Sequence, residues 1–273
     1  MLKEKFHVAV PTSFNQDESL NIERTIQHVK YLNQHGVKSV LVSGSTGEQH
    51  SLSNDEKFEL IRAFEIDTEL PEDFELIFGV SDIRQKAAEE LAVFIHKSSK
   101  VKAVLVGFSP YLLPTQAEAL SYFKKIVSLV DKPVIIYNNP NRTGFDLTVE
   151  SIVDLLGDSR VIGIKEAGDP KKIAAILNKV EKNLAIYAGG ENDLEYKVSV
   201  GYNRLSSIWG NVYPEALDQW FSDILSFKAH TLPINVSATM KQAEGKSLLP
   251  LLKQAISETE KVSIGICRSP LGN

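Results

Sequence analysis

The chain has little cysteine and no long apolar run. Among its 273 residues the only cysteine is Cys267, which can form neither an intramolecular disulfide nor a cysteine-based zinc site and is typical of a reducing compartment. The longest uncharged apolar runs span about six residues, whereas a membrane-spanning helix needs about 20. The first nine residues have charges too close to any apolar stretch for a secretory signal. We therefore expect a soluble, cytoplasmic protein that does not contact membranes.

Positive charge is also in slight deficit, with 30 Lys and Arg against 35 Asp and Glu and a formal charge of −5. Nucleic-acid binding generally requires a basic face, so this balance argues against DNA or RNA as a partner. It does not exclude a small anionic substrate, because one buried Arg or Lys can bind an anion locally. The 16 glycines and 11 prolines are too few for a low-complexity chain. A chain of this length can bury a core without disulfides or metals.

Eight short apolar runs recur along the chain, with helical patterns between them. They are rich in Val, Ile and Leu and bounded by Gly, Pro, Ser or Asn, which is typical of strands buried on both faces of a parallel sheet. The runs are 7–11, 38–43, 75–80, 103–108, 134–138, 161–165, 185–188 and 204–208. The alternation predicts an α/β fold, a single (β/α)8 TIM barrel, with a doubly wound sheet as the alternative.

The segments between the runs carry helix-start and helix-stop signals. Ser53 and Glu56 form a capping box, Thr115 and Thr148 are candidate N-caps, and Pro214 is a typical first helical residue. The predicted helices are 22–35, one after Ser53, 85–98, 116–130, 149–156, one from Pro170 to about 180, and one from Pro214. Residues 236–260 predict one or two extra helices, split near Gly245 or Pro250. We therefore predict a catalytic barrel over residues 1–228 and a C-terminal helical extension over residues 229–273.

Two residues at neighbouring strand ends suggest covalent chemistry, because barrel active sites lie at the C-terminal ends of the strands. Lys165 ends the sixth run, where partial burial lowers the pKa of a lysine and frees its amine to form a Schiff base with a ketone. Tyr137 ends the fifth run, and a phenol there can transfer a proton. The structural alternatives are an ion pair between Lys165 and Glu166 and a rim tyrosine anchored by its hydroxyl.

Two loops suggest anion binding. Residues 44–48 read Gly-Ser-Thr-Gly-Glu, and successive backbone N–H groups in such a turn can form an anion site. Arg142, in the loop after the fifth run, can hold a carboxylate with its bidentate fork or be a plain surface arginine. The histidines do not stand at metal-ligand spacing and no carboxylates cluster at the strand ends, so we expect no metal.

Taken in order, the segments 44–48, 137–144 and 162–166 resemble the motifs of the dihydrodipicolinate synthase / N-acetylneuraminate lyase family of class I aldolases. The resemblance extends from the first strand to about Leu225. It implies a TIM barrel in which Lys165 forms a Schiff base with pyruvate or a related 2-keto acid and Tyr137 transfers protons. It implies no cofactor, since the imine on Lys165 is itself the electron sink. The implied partners are small-molecule substrates and further copies of the chain, as a homodimer or homotetramer.

The resemblance also implies the remaining site residues. Ser45 and Thr46 would bind the keto-acid carboxylate, and Thr46 would join a proton relay of hydroxyls. Gly190 would lie close to the pyruvyl group, and Ser206 on the eighth strand would complete the substrate-binding set. Arg142 points to the dihydrodipicolinate synthase branch, in which it would bind the carboxylate of aspartate semialdehyde for lysine and diaminopimelate synthesis.

Two departures from that branch leave other functions open. The branch carries Pro-Tyr-Tyr after the fourth strand, and its second tyrosine reaches a neighbouring subunit, whereas residues 110–112 read Pro-Tyr-Leu and leave Tyr111 as the relay candidate. Trp209 stands where the family more often has a small or aliphatic residue, which would change the pocket. The alternatives are a 2-keto acid aldolase or dehydratase for a sugar acid, and a non-catalytic keto-acid binder. Retention of both Tyr137 and Lys165 argues against the binder.

Overall fold

A computed structural model describes residues 2–272 and contains a closed barrel of eight parallel strands. The strands follow one another around the barrel in chain order, and β1 pairs with β8 to close it. They are β1 Phe6–Ala9, β2 Ser39–Val42, β3 Glu75–Val80, β4 Val101–Gly107, β5 Val134–Asn138, β6 Val161–Glu166, β7 Ala185–Ala188 and β8 Arg204–Ser207. The predicted barrel is confirmed, and the doubly wound alternative is wrong.

Helices follow the strands and surround the barrel. They are α1 Ile22–Gln34, α2 Asn54–Ile66, α3 Gln85–His96, α4 Gln116–Val130, α5 Pro140–Thr143, α6 Val149–Leu156, α7 Lys171–Leu177, α8 Leu194–Ser199, α9 Pro214–Leu225, α10 Ile234–Ala243 and α11 Leu248–Glu260. Residues Gln49–Ser51 and Trp209–Asn211 form 3₁₀ turns. The sequence pattern does not predict α5 and α8, because helices of four and six residues are too short to show a 3.6-residue period. Within residues 2–272 the helices are too short or too polar to cross a bilayer.

Side chains named as caps begin several helices as predicted. Ser53 accepts a hydrogen bond from the Glu56 N–H, and the Glu56 carboxylate accepts one from the Ser53 N–H, which completes the capping box of α2. The Thr115 and Thr148 hydroxyls cap α4 and α6 by accepting hydrogen bonds from the N–H groups of Glu118 and Ser151, and of these two helices only α4 has a complete capping box. Pro170 is the N-cap of α7 rather than a residue of its first turn, and α7 ends three residues before the predicted end.

The C-terminal segment forms two helices, and Gly245 lies between them. Gly245 has a left-handed φ of 71°, which glycine adopts without steric cost. Pro250 lies in the first turn of α11, where a missing N–H breaks no helical hydrogen bond. The division into a barrel of residues 1–228 and an extension of residues 229–273 stays a prediction.

The apolar side chains of the strands form two separate cores. The larger packs between the barrel wall and the helices, and the smaller fills the barrel interior with residues that include Leu41, Ile77, Leu105, Ile135 and Tyr187. Successive residues of a strand point to opposite faces, so the interior set repeats every second position. Tyr137 continues this inward row at the end of β5 and packs against the interior core.

Candidate active site

Lys165 and Tyr137 lie side by side at the C-terminal mouth of the barrel. The strand register pairs Tyr137 of β5 with Lys165 of β6. The Lys165 Nζ lies 5.1 Å from the centroid of the Tyr137 ring and donates a 2.8 Å hydrogen bond to the Ser206 Oγ of β8. Lys165 is 8% exposed, and Ser206 is fully buried. Three strands therefore hold one amine in a defined position.

The surroundings of the site shift the pKa values of both Lys165 and Tyr137. Burial lowers the pKa of Lys165, and the positive charge of Arg142 acts in the same direction. Burial alone would raise the pKa of Tyr137, but the charge of Lys165 and hydrogen bonds with Ser45 and Asn139 lower it overall. Lys165 therefore loses its proton more readily than a free lysine, and Tyr137 more readily than a free tyrosine. A nucleophilic amine requires a lowered lysine pKa, and a proton carrier beside it requires a lowered tyrosine pKa.

The loop after β2 brings Ser45 to the Tyr137 hydroxyl, and the two oxygens are 3.4 Å apart. Gly79 on β3 allows this loop to pack closely, because a Cβ at that position would lie 2.0 Å from the Ser43 carbonyl oxygen. Only glycine fits such an approach of one backbone to another. The predicted tight turn is therefore present, and Ser45 is its contact to the Tyr137 hydroxyl.

The short helix α5 places Asn139 and Arg142 at the same end of the barrel. The Asn139 Nδ2 donates a 2.7 Å hydrogen bond to the Tyr137 hydroxyl. Pro140 begins α5, and Gly144 ends it with a left-handed φ of 71°. Arg142 is exposed and lines a cavity beside Tyr137. Asn139 was not among the residues predicted from the sequence, although its place two residues after Tyr137 was the available signal.

That cavity has a volume of about 330 Å³. Its wall includes Ser45, Tyr137 and Arg142, together with Gln49 and His50, which the sequence analysis does not single out. Among the described residues no Asp or Glu lines it. Lys165 does not line this cavity directly; Tyr137, which does, contacts Lys165 and joins the amine to the cavity.

Five of the predicted residues lie outside the cavity wall: Lys165, Thr46, Tyr111, Gly190 and Ser206. Thr46 shares the turn with Ser45, but it is Ser45 that contacts the Tyr137 hydroxyl. Tyr111, in the loop between β4 and α4, is 90% exposed and has a left-handed φ of 75°. Its side chain is therefore in solvent and does not line the cavity beside Tyr137.

The two glycines after β7 contact different side chains. Gly190 has a left-handed φ of 109° and faces Ile208. Gly189 is the one that packs against the amine-bearing side chain, because a Cβ there would lie 3.4 Å from the Lys165 Cε. Trp209 is buried in the outer core and does not line this cavity, and the expected change of pocket shape at that position stays a prediction.

Two buried carboxyl groups flank the site without pairing with Lys165. Glu166 accepts hydrogen bonds of 2.8 Å from the Asn138 Nδ2 and 2.6 Å from the Gly168 N–H, and burial raises its pKa to about 7. Glu191 accepts hydrogen bonds from the residues at the end of β8, and burial raises its pKa. The alternative ion pair between Lys165 and Glu166 is therefore absent. Within the described part of the chain, no group of three or more His, Cys, Asp and Glu side chains is arranged to hold a metal ion.

Comparison with known proteins gives one family. The family model described as the dihydrodipicolinate synthetase family matches residues 3–273. The chain is similar to the 4-hydroxy-tetrahydrodipicolinate synthase of Ligilactobacillus salivarius strain UCC118, with 27% identity over 267 residues, 96% of this chain and 91% of that relative.

Two solved structures share the fold. The dihydrodipicolinate synthase of Aquifex aeolicus superposes with a TM-score of 0.88 at 21% identity, over 99% of this chain and 92% of the other. A 2-keto-3-deoxygluconate aldolase from Sulfolobus superposes with a TM-score of 0.85 at 19% identity, over 98% of this chain and 89% of the other. At these identities the likeness is one of fold.

Proposed function

Since the chain belongs to the dihydrodipicolinate synthetase family and is a lyase of the class I aldolase type, we propose that it condenses pyruvate with aspartate semialdehyde through a Schiff base on Lys165. This is the activity named for the Ligilactobacillus relative, 4-hydroxy-tetrahydrodipicolinate synthase, which would place the chain in lysine and diaminopimelate synthesis. The observation that carries the proposal is the buried Lys165 amine, bonded to Ser206 and adjacent to Tyr137. The proposed chemistry needs no cofactor, because the imine withdraws electrons itself.

In the proposed first step the neutral amine of Lys165 attacks the keto carbon of pyruvate. The carbinolamine oxygen gains a proton and leaves as water, which produces a protonated imine. That cation withdraws electrons from the pyruvyl methyl group, so a methyl proton leaves and an enamine forms. Tyr137 is the proposed proton carrier, with its hydroxyl held between Ser45 and Asn139.

In the second half of the proposed reaction, the enamine carbon forms a bond with the aldehyde carbon, and the aldehyde oxygen takes up a proton from Tyr137. Water or the amino group of the substrate then displaces Lys165 from the imine. The turn of Ser45 and Thr46 is the proposed site of the keto-acid carboxylate, and Gly190 stays a predicted neighbour of the pyruvyl group. Orientation of both reactants near Lys165 is the main contribution of the protein to the rate.

Arg142 supports aspartate semialdehyde as the aldehyde. Its guanidinium lines the cavity, and no carboxylate of the described residues stands in that wall to neutralise it. A planar guanidinium binds a carboxylate through two parallel hydrogen bonds, which also orients the ligand. We propose that Arg142 holds the carboxylate of the aldehyde while Lys165 holds pyruvate.

Tyr111 supports the proposal that the enzyme acts as an oligomer. Its side chain is 90% exposed, and its φ of 75° is a strained conformation for a non-glycine residue. Such strain tends to persist where it serves a function. We propose that Tyr111 extends its hydroxyl to the proton relay of a neighbouring copy, in a homodimer or homotetramer.

A second candidate function is that of a lyase for a sugar acid. The cavity wall favours it through its neutral polar groups, since Ser45, Gln49, Asn139 and Thr143 can bond to several hydroxyls. The same wall contains no described Asp or Glu to pair with the amino group of aspartate semialdehyde. This reaction would use the same imine on Lys165 and differ only in the aldehyde.

Borohydride trapping with pyruvate tests the proposed chemistry. Reduction of the imine converts it to a stable secondary amine, which intact mass detects and peptide mapping assigns to a residue. We expect one reduced pyruvyl group per chain on Lys165. Product formation from pyruvate and aspartate semialdehyde, or from a sugar-derived aldehyde, then distinguishes the two candidate functions.

Lys165→Arg is the matched control, because arginine keeps the positive charge but forms no imine under these conditions. The variant should fold normally, give no adduct and have no activity. An adduct on another lysine, or full activity of Lys165→Arg, would overturn the Schiff-base proposal.

A further inference from the structure

We infer that Gln49 and His50 form, together with Arg142, the subsite that selects the aldehyde. The subsite would take a short aldehyde that bears one anionic group and a hydrogen-bond donor on the neighbouring carbon. This inference rests on the proposed function, since it assumes that the cavity beside Tyr137 receives the second substrate. The three side chains line the same cavity of about 330 Å³.

The turn that carries Gln49 and His50 is firmly held. It follows directly on the loop of Ser45, and the Gln49 N–H donates a 3.2 Å hydrogen bond to the Gly44 carbonyl oxygen. Glu48, which precedes the turn, is fully buried and accepts hydrogen bonds of 2.6 Å from the Lys253 Nζ and 3.0 Å from the Arg268 N–H. A turn anchored in this way presents its side chains in one orientation, as a specificity site requires.

Gln49 lines the cavity and carries an unsatisfied acceptor. Its side-chain Oε1 is buried and has no hydrogen-bond partner among the described residues, and the same holds for the Ser43 Oγ of the preceding loop. Both residues line the cavity. Buried polar atoms are nearly always hydrogen-bonded, so an unpaired amide oxygen in a residue of the cavity wall indicates a bond to a ligand or to water. A hydroxyl or amino hydrogen of the aldehyde would satisfy Gln49.

His50 and Arg142 provide the complementary donors. Both side chains line the cavity, where partial burial lowers the pKa of His50 and the charge of Arg142 lowers it further. A neutral imidazole donates one N–H, while Arg142 supplies the positive charge. With no Asp or Glu in the described wall, an anionic group is the ligand that these two donors favour.

Neither Gln49 nor His50 is among the contacts of Lys165, so their proposed role is separate from imine formation. Three aldehydes, each assayed with pyruvate, show which chemical features of the aldehyde the subsite recognises. Aspartate semialdehyde carries an anion and an amino group, 2-hydroxy-3-oxopropanoate carries an anion and a hydroxyl, and glyceraldehyde carries hydroxyls but no anion. The variants are Gln49→Leu, Gln49→Glu and His50→Ala.

We expect Gln49→Leu and His50→Ala to lower kcat/KM for the preferred anionic aldehyde about 10- to 100-fold, the effect of losing one hydrogen bond to a charged or desolvated ligand. His50→Ala should affect glyceraldehyde less, because glyceraldehyde has no anion. Gln49→Glu keeps the size and the acceptor but adds a negative charge, so it should impair the two anionic aldehydes and spare glyceraldehyde. The KM for pyruvate should stay unchanged in all three variants.

Gln254→Leu is the matched control, since Gln254 is exposed on α11 and does not line this cavity. The borohydride adduct with pyruvate is measured on every variant and separates the two proposals. No adduct in the natural protein would overturn the proposed function. A normal adduct with unchanged aldehyde kinetics in Gln49→Leu and His50→Ala would overturn the inference alone, as would an equal loss for all three aldehydes in His50→Ala or in Gln49→Glu.

Discussion

Lys165 and Tyr137 occupy paired positions on β6 and β5, and this register places the Lys165 Nζ 5.1 Å from the centre of the Tyr137 ring. The barrel wall itself therefore brings the amine and the phenol together. Ser206, which accepts the hydrogen bond of the amine, lies on β8. Loops provide the remaining contacts of Tyr137, through Ser45 and Asn139.

Tyr137→Phe should lower kcat about 10²- to 10⁴-fold, which is the usual contribution of one positioned proton carrier. The partly buried ring and its packing remain, so the protein should fold with unchanged stability. Steady-state kinetics give the loss, and rapid-quench borohydride trapping shows whether imine formation is slowed. A kcat within a factor of two of the natural protein would exclude Tyr137 as the carrier.

Ser206→Ala should move the acid limb of the pH profile for kcat/KM of pyruvate to lower pH by about one unit. The Ser206 Oγ accepts a 2.8 Å hydrogen bond from the Lys165 Nζ, and such a bond stabilises the charged amine more than the neutral one. Without it, the pKa of Lys165 falls further below its usual range. The pH profile of single-turnover adduct formation measures the shift, and a shift to higher pH would contradict the assigned direction.

Arg142→Ala should raise the KM for a carboxylate-bearing aldehyde at least about 10-fold and leave the KM for pyruvate nearly unchanged. The guanidinium lines the cavity but does not touch Lys165. Arg142→Lys should recover only part of the loss, since an ammonium lacks the bidentate geometry. Equal effects on both KM values would mean that Arg142 has a structural role.

Glu48→Gln should destabilise the protein by about 3 to 5 kcal/mol, because it leaves the buried Lys253 ammonium without its counterion. The double variant with Lys253→Met should be more stable than Glu48→Gln alone, since it removes the unpaired charge. Urea unfolding measures both. Because Glu48 anchors the loop of Ser45, the single variant should also raise the KM for pyruvate; an unchanged KM would show that this anchor does not position the loop.

Glu166 should make stability fall as pH rises from about 5 to about 7. Burial raises its pKa from the usual 4.5 to about 7. Between these values the folded protein keeps a proton that the unfolded chain releases, so the contribution is complete at low pH and is lost as pH rises, up to about 3 kcal/mol. Glu166→Gln should flatten this dependence, whereas the exposed control Glu90→Gln should not. Urea unfolding at several pH values checks the slope.

The strands were predictable because each is a compact apolar run, and β3, β5 and β7 begin and end at the predicted residues. Lys165, Tyr137, Ser45 and Arg142 were predictable as strand-end or loop residues, and the resemblance assigned their roles. Gln49, His50 and Asn139 were not, because nothing in a local pattern shows that a polar side chain faces a cavity. The packing of Gly189 against Lys165 also depends on how two strands curve past each other.

The sequence by itself determined the order of strands and helices, the helix caps and the lysine and tyrosine at neighbouring strand ends, because all of these follow from local periodicity and chain order. Only the tertiary structure decided which polar groups meet. Glu48 is anchored by Lys253 and Arg268, more than 200 residues away in the chain, and His50 and Arg142 line the same cavity. Such contacts form only when the barrel closes and buries these groups. Burial also lowers the pKa of Lys165. Neither closure nor burial is a property of any single segment of the sequence.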